Sequence, residues 1–295
     1  MPVATVVFTA LLLLQSALVV TGGAVRLTGS GLGCPTWPEC TKGSIKPLAH
    51  PAQGQLHAWI EFGNRLIAWL IFLFAVLALI YVVKKLKDRP DYKRLKNLAF
   101  LQLLGFLAQV ILGGITVLTK LNPISVSAHF ILSLPLIAGA LTLRSKILDK
   151  PSVFVGETTR LLIRILVGVG IAVLALGTVV TGTGPHAGDI AAKRYRFDPR
   201  IVSWIHADLV ILLISMIIAF ILVIRASESG APKKLIQSKA KQLLGIALAQ
   251  GAIGYLQYFT KLPELLVGAH ILGATLVWLA IWDLNISGRT SSNAI

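Results

Sequence analysis

LAQVILGGITVLTKLNPISVSAHFILSL (107–134) and LAQGAIGYLQYFTKLPELLVGAHILGAT (248–275) stay in register at a constant offset of 141 residues. They share Leu-Ala-Gln, then Thr119-Lys120-Leu121 against Thr260-Lys261-Leu262, then Ala128-His129 against Ala269-His270. Each reads as the end of one apolar helix, a short polar reversal, and the start of the next. A further echo lies upstream, where Thr28-Gly29-Ser30-Gly31 parallels Thr181-Gly182-Thr183-Gly184 after another apolar run. Self-similarity over this length identifies architecture before any single segment does. Working outward, eight apolar stretches of roughly spanning length can be marked, near 3–25, 56–83, 97–118, 124–143, 161–183, 201–224, 242–258 and 264–284. The expected fold is an all-α integral membrane protein with eight transmembrane helices, arranged as two tandem four-helix bundles related by a pseudo-twofold duplication. Four spans return the chain to its starting side, so the repeats run parallel rather than inverted.

Composition agrees with that class. Hydrophobic residues make up 55% of the 295 and charged residues 14%, with a mean hydropathy of +0.79, beyond the range of soluble domains. The first stretch has neither a basic leader nor a small-residue cleavage site, and reads as a retained helix. A net charge of +16 invites a nucleic-acid reading, but its distribution argues for topology instead. Connections 84–96, 144–160 and 225–241 with the C-terminal tail hold 17 Lys and Arg, against nine in the alternate connections. The positive-inside rule then places both termini in the cytoplasm. KKLKDRPDYKRLK (84–96) is a cytoplasmic topology determinant that also meets membrane lipids, and no nucleic-acid partner is expected.

Imidazoles inside lipid-spanning helices are costly and usually functional. His206 lies about two turns into the sixth stretch and His270 opens the eighth, so both sit toward the outer ends of their helices. Facing helices that each supply one imidazole point to a shared iron, most often that of heme. The alternative is a packing histidine bonded to a carbonyl. His129 is the counterpart of His270, but the position matching His206 falls at Arg65, beside Asn64, a poor iron ligand. His57 lies seven residues earlier on the same helical face, about 10 Å higher. Either His57 supplies a second ligand, or the iron in this half keeps one position open. An open position suits oxygen chemistry, and a saturated one suits electron transfer.

Glu61 stands one turn from both His57 and Arg65. It reads either as half of an i, i+4 ion pair with Arg65 or as a core-facing proton donor or base, which would leave Arg65 for a heme propionate. Asp208 has no matching partner in register and is expected to face another helix. Cys34 and Cys40, the two cysteines of the chain, fall in the first outward connection. An oxidising compartment favours a disulfide there; two reduced thiols, or less readily a zinc site, are the alternatives. His186 is expected in a loop above the C-terminal pocket, orienting a propionate or binding nothing, and His50 in a solvated loop.

GGAVRLTGSGLGCPTWPEC (22–40), IEFGNR (60–65), TGTGPHAGD (181–189) and the histidines of the fourth, sixth and eighth helices resemble the heme A synthase family across essentially the whole chain. The resemblance implies an enzyme that oxidises a methyl group of heme O, its substrate, to the formyl group of heme A. It implies that residues 1–145 form an N-terminal four-helix unit for substrate heme and catalysis, and 146–295 a C-terminal unit holding heme b. By it, His206 and His270 are axial ligands of heme b, His129 the ligand of the substrate heme, Glu61 the catalytic acid, and Cys34–Cys40 an outer-loop disulfide. The family's usual Glu-x-x-His-Arg reads here as Glu61-Phe-Gly-Asn64-Arg65, and a second cysteine pair is missing from 184–200. The resemblance also implies a bacterial plasma membrane, an electron donor of unknown identity, and heme O synthase as a possible partner. A diheme b-type cytochrome serving quinone is the competing reading; it predicts matched ligands in both halves. A transporter would place polar groups and broken helices at the midplane.

Overall fold

The computed structural model describes residues 2–48, 54–190 and 192–289, so His50 lies outside the described residues. Eight α-helices follow one another: α1 Pro2–Leu27, α2 Gln55–Lys85, α3 Tyr92–Leu118, α4 Pro123–Ile147, α5 Glu157–Thr183, α6 Pro199–Ser227, α7 Gly230–Phe259 and α8 Glu264–Ser287. Two short strands, β1 Val153–Phe154 and β2 Gly288–Arg289, pair in parallel. Seven of the helices are long and apolar enough to cross a membrane, and the chain is a multi-pass membrane protein. The exception is α7. It starts twelve residues before the expected apolar stretch, carries Lys233, Lys234, Lys239 and Lys241 in its first half, and is interrupted later by Gln250 and Gln257.

Helix ends follow local chemistry. Asn122 accepts a bond from the Ile124 amide at 3.0 Å and Asp198 from the Arg200 amide at 2.8 Å, each followed by proline at the first helical position. These caps satisfy amides that a helix start leaves without partners. The α3–α4 reversal closes with Leu121 N–H donating to Thr116 O at 2.9 Å, and the α7–α8 reversal with Leu262 N–H donating to Gln257 O at 2.7 Å. Both put two non-glycine residues in the left-handed region: Lys120 and Leu121 at φ 54° and 57°, Lys261 and Leu262 at 65° and 60°. Positions 141 apart thus share an unusual backbone.

The chain divides into two compact units: Met1–Leu148 with Thr181–Phe197, and Asp149–Val180 with Asp198–Ile295. In the first, α1 packs on α2 and α4, α2 on α3, and α3 on α4, which closes a ring of four. Phe8, Leu11, Leu95, Ile137 and Leu143 are fully buried within it. In the second, Ile163 and Leu166 of α5 join Leu213, Ile217, Phe220 and Ile224 of α6, Leu243 of α7, and Ile281 and Leu284 of α8 in one apolar cluster. Its far end is fastened by the β1–β2 pair and by Arg160, which donates to the carbonyls of Asn285 and Gly288. The segment 181–197 belongs with the first unit. The loop holding His186 thus groups with the first unit, where sequence order suggested the second.

Candidate functional site

In the second unit the apolar cluster reaches outward as far as Leu213, Ala247 and Val277. His206 and His270 lie seven residues beyond Leu213 and Val277 on their helices, past the packed layer. The His206 ring rests against Gly177 of α5, where an added Cβ would stand 3.3 Å from its Cε1. The His270 ring rests against Gly254 of α7, with a corresponding distance of 3.1 Å. The two imidazoles are near enough to interact electrostatically, and the Nδ1 atom of each is buried without a hydrogen-bond partner. Gln250 Nε2 donates to His270 O at 2.8 Å and holds that backbone in place.

The first unit repeats half of this arrangement. His129 rests on Gly113 of α3 with a Cβ-to-Cε1 distance of 3.3 Å, its Nδ1 is buried without a partner, and Gln109 Nε2 donates to its carbonyl at 3.1 Å. The α2 side differs. Asn64 Oδ1 accepts from the Thr21 hydroxyl at 2.7 Å, with its Nδ2 atom 4.0 Å from a Cβ built on Gly22. His57 points elsewhere: its Nδ1 lies 2.9 Å from Ser30 Oγ, and Ser30 in turn is 2.8 Å from Thr28 Oγ1. So the structure places Asn64 on the α1 face of α2 and engages His57 with the loop that follows α1.

Glu61 is 6% exposed, and both its oxygens are engaged. Oε2 accepts from the Cys34 amide at 2.7 Å and Oε1 from Arg65 at 2.7 Å. Arg65 spends its remaining donors on carbonyls of one loop: Cys34 at 3.0 Å, Thr36 at 3.2 Å, Glu39 at 3.2 Å and Pro38 at 3.4 Å. That loop is closed by the Cys34–Cys40 disulfide, and both cysteines are fully buried. The ion pair expected from the i, i+4 spacing is present. It also clamps the loop, so the guanidinium faces carbonyls rather than open space for a propionate.

Around this clamp, Trp37 lies across Gly114, 2.7 Å from where a Cβ would stand, one residue from the glycine under His129. Arg26 at the end of α1 donates to the carbonyls of His186 and Thr181, and Gly31 N–H to Gly188 O at 2.9 Å. Tyr195 packs on Gly182, with its hydroxyl 3.3 Å from Ser127 Oγ, two residues before His129. The carbonyl of His186 thus serves the strap that Arg26 makes. Asp208 is exposed beside Arg200 and Trp204 and does not turn into the apolar cluster.

Among the described residues no three His, Cys, Asp or Glu side chains converge on one point, so metal binding here rests on single imidazoles and pairs. Iron already held by four porphyrin nitrogens needs only one or two protein ligands, and buried ring nitrogens without partners match that requirement. The residues therefore fit a heme in each unit, with two imidazoles in the second and one in the first. Four glutamines carry no role in the sequence reading. Gln109 and Gln250 brace the histidines, while Gln15 donates to Gln102 at 2.8 Å deep in the first bundle. A polar amide recurring in otherwise apolar spans is the signal that marks them.

Comparison with known proteins gives a consistent picture. Residues 5–282 match the family model described as cytochrome oxidase assembly protein, COX15-CtaA. Relatives named heme A synthase include those of Geobacillus thermodenitrificans, 33% identical over 119 residues, and Geobacillus kaustophilus, 35% identical over 112. A third, from Lysinibacillus sphaericus, is 35% identical over 108 residues. These alignments take in 40%, 38% and 36% of this chain, and the chain spans about a third of each relative's length, 35%, 32% and 32%. A family match running through both histidine-bearing units settles the affiliation: the chain belongs to the COX15-CtaA family of cytochrome oxidase assembly proteins.

Proposed function

We propose that this protein is a heme A synthase, oxidising one methyl group of heme O to a formyl group by two successive hydroxylations and loss of water. Each hydroxylation consumes dioxygen, a pair of electrons and a pair of protons, and releases water. The observation that carries the reading is the inequality of the two units. The second offers His206 and His270 as a pair, whereas the first offers His129 alone with Glu61 in its α2 helix. An electron carrier has no use for that asymmetry.

In this reading His206 and His270 would hold a heme b, which would supply electrons, and His129 would hold the substrate heme, whose periphery is the reacting part. Bound heme supplies one-electron and oxygen chemistry. Asn64, tied to Thr21, leaves the α2 side without a ligand, and His57 stays with Ser30. Glu61 accepts and returns protons at its carboxylate, aimed by Arg65 and the Cys34 amide, while the disulfide loop excludes water from above. Arg65 acts by holding Glu61 and the loop.

The finer architecture belongs to the same proposal. Residues 1–145 and 146–295 descend from one duplicated four-helix bundle, as the paired reversals and the paired glutamine–histidine contacts support. Both termini face the cytoplasm of a bacterial cell, since basic residues crowd those connections. Heme O synthase is a fitting donor, because direct transfer spares a poorly soluble substrate from water.

The test is mass identification of hemes extracted from the protein made in a host that supplies heme O. Heme B accompanied by heme A or a hydroxylated heme O is expected. Heme B alone, from preparations exposed to heme O and oxygen, would overturn the synthase reading in favour of a diheme electron carrier.

A further inference from the structure

We propose that Gly113, Gly177 and Gly254 are positioning residues that set the plane and reach of the three imidazoles, each acting from the helix that precedes the histidine's own. The inference rests on the heme reading above and extends it from ligands to the surfaces that aim them. At all three glycines an added Cβ would meet the Cε1 atom of a histidine, at 3.3 Å for His129, 3.3 Å for His206 and 3.1 Å for His270. Cε1 sits between the two ring nitrogens, so any push there swings both nitrogens together. The ring would have to give by a few tenths of an ångström, a large share of the roughly 0.5 Å within which a productive geometry has to be held.

The contact is specific to these positions rather than a property of thin helices. Gly168 on α5 and Gly251 on α7 have no neighbouring atom within 4 Å of an added Cβ, although they share helices with Gly177 and Gly254. Glycine in a helix interior costs about 1 kcal/mol relative to alanine at either kind of site. Of these helix-interior sites, the seats alone bring a methyl group to an imidazole.

Each seat has a second wall. The peptide of Val173, one turn before Gly177, faces the His206 ring, and that of Gln250, one turn before Gly254, faces the His270 ring. Where the sequence repeats, the side chain one turn before the glycine also fixes the histidine backbone: Gln109 to His129 O at 3.1 Å and Gln250 to His270 O at 2.8 Å. Leu-Ala-Gln-x-x-x-Gly, found at 107–113 and 248–254, is thus a histidine-aiming motif. Outer contacts of this sort fix ring orientation and tune a metal centre without touching the metal.

The experiment uses the full-length protein in detergent, titrated with hemin. Gly177→Ala and Gly254→Ala are compared with Gly168→Ala and Gly251→Ala on the same helices. The seat variants should weaken hemin retention about tenfold and shift the low-spin electron paramagnetic resonance signal. The companion variants should match the unaltered protein, which a purely helix-stabilising effect of alanine would not separate from the seat variants. Should neither second-unit seat variant fold, Gly113→Ala reads the same effect in the first unit through the spectrum of its heme. Seat variants indistinguishable from their companions, in a protein that gives a normal low-spin spectrum, would overturn the inference alone. An unaltered protein without any Soret band would instead remove the heme reading on which it stands.

Discussion

At the scale of single residues, the first unit is organised by what Glu61 and Asn64 touch. Glu61 has both oxygens occupied by donors, so Glu61→Gln keeps the shape but replaces one acceptor with a donor facing either Arg65 or the Cys34 amide. The spectrum of heme b should survive that change, while heme O or its hydroxylated form accumulates in the extracted hemes. Normal heme A output from the variant would remove Glu61 from the chemistry. Asn64→His tests the other side of the site. An imidazole placed against α1 near Gly22 should bring a second ligand toward the heme of the first unit and convert its spectrum to low spin. An unchanged spectrum would mean that this face of α2 does not reach the iron. The residues themselves were legible in the sequence as charges and amides inside an apolar span. Their partners were not: the Arg65 carbonyls come from a loop some thirty residues away in the chain, and nothing in a one-dimensional pattern announces a main-chain acceptor.

Secondary-structure elements tell a different story, because their rules are local. Apolar runs located the helices, and the repeated Thr-Lys-Leu located both reversals. Where the reading strayed, at α7, the cause is that a charged amphipathic extension continues a helix without registering as apolar. The reversals also store strain, since Lys120, Leu121, Lys261 and Leu262 all adopt a backbone that L-residues disfavour. Replacing Lys261 with glycine should relieve that cost and stabilise the fold by up to about 1 kcal/mol. The gain is measured as a higher thermal midpoint in detergent, and a lower midpoint would mean that the Lys261 side chain contributes a contact worth more than the strain.

On the scale of the whole molecule, the uneven distribution of charge was readable in the sequence, and it makes a claim that bulk measurement decides. Reporter proteins fused after residue 295 should be active only if their function requires the cytoplasm, because the proposed topology puts the more basic connections on that side. A reporter active only on the outer side would reverse the topology. Invisible to the sequence was which half each outward loop serves. Residues 181–197 follow α5 in the chain, yet they join the first unit through Arg26, Gly31 and Tyr195.

That one attachment bears on how the first unit can be handled. A gene fragment ending at residue 148 would encode four complete helices but leave Arg26 without the Thr181 and His186 carbonyls it binds, and Ser127 without the Tyr195 hydroxyl beside it. Co-expression of the two fragments should therefore yield more assembled protein than the leading fragment made by itself. Any shortened version meant to keep the first unit whole therefore has to carry residues 181–197 along with the first four helices.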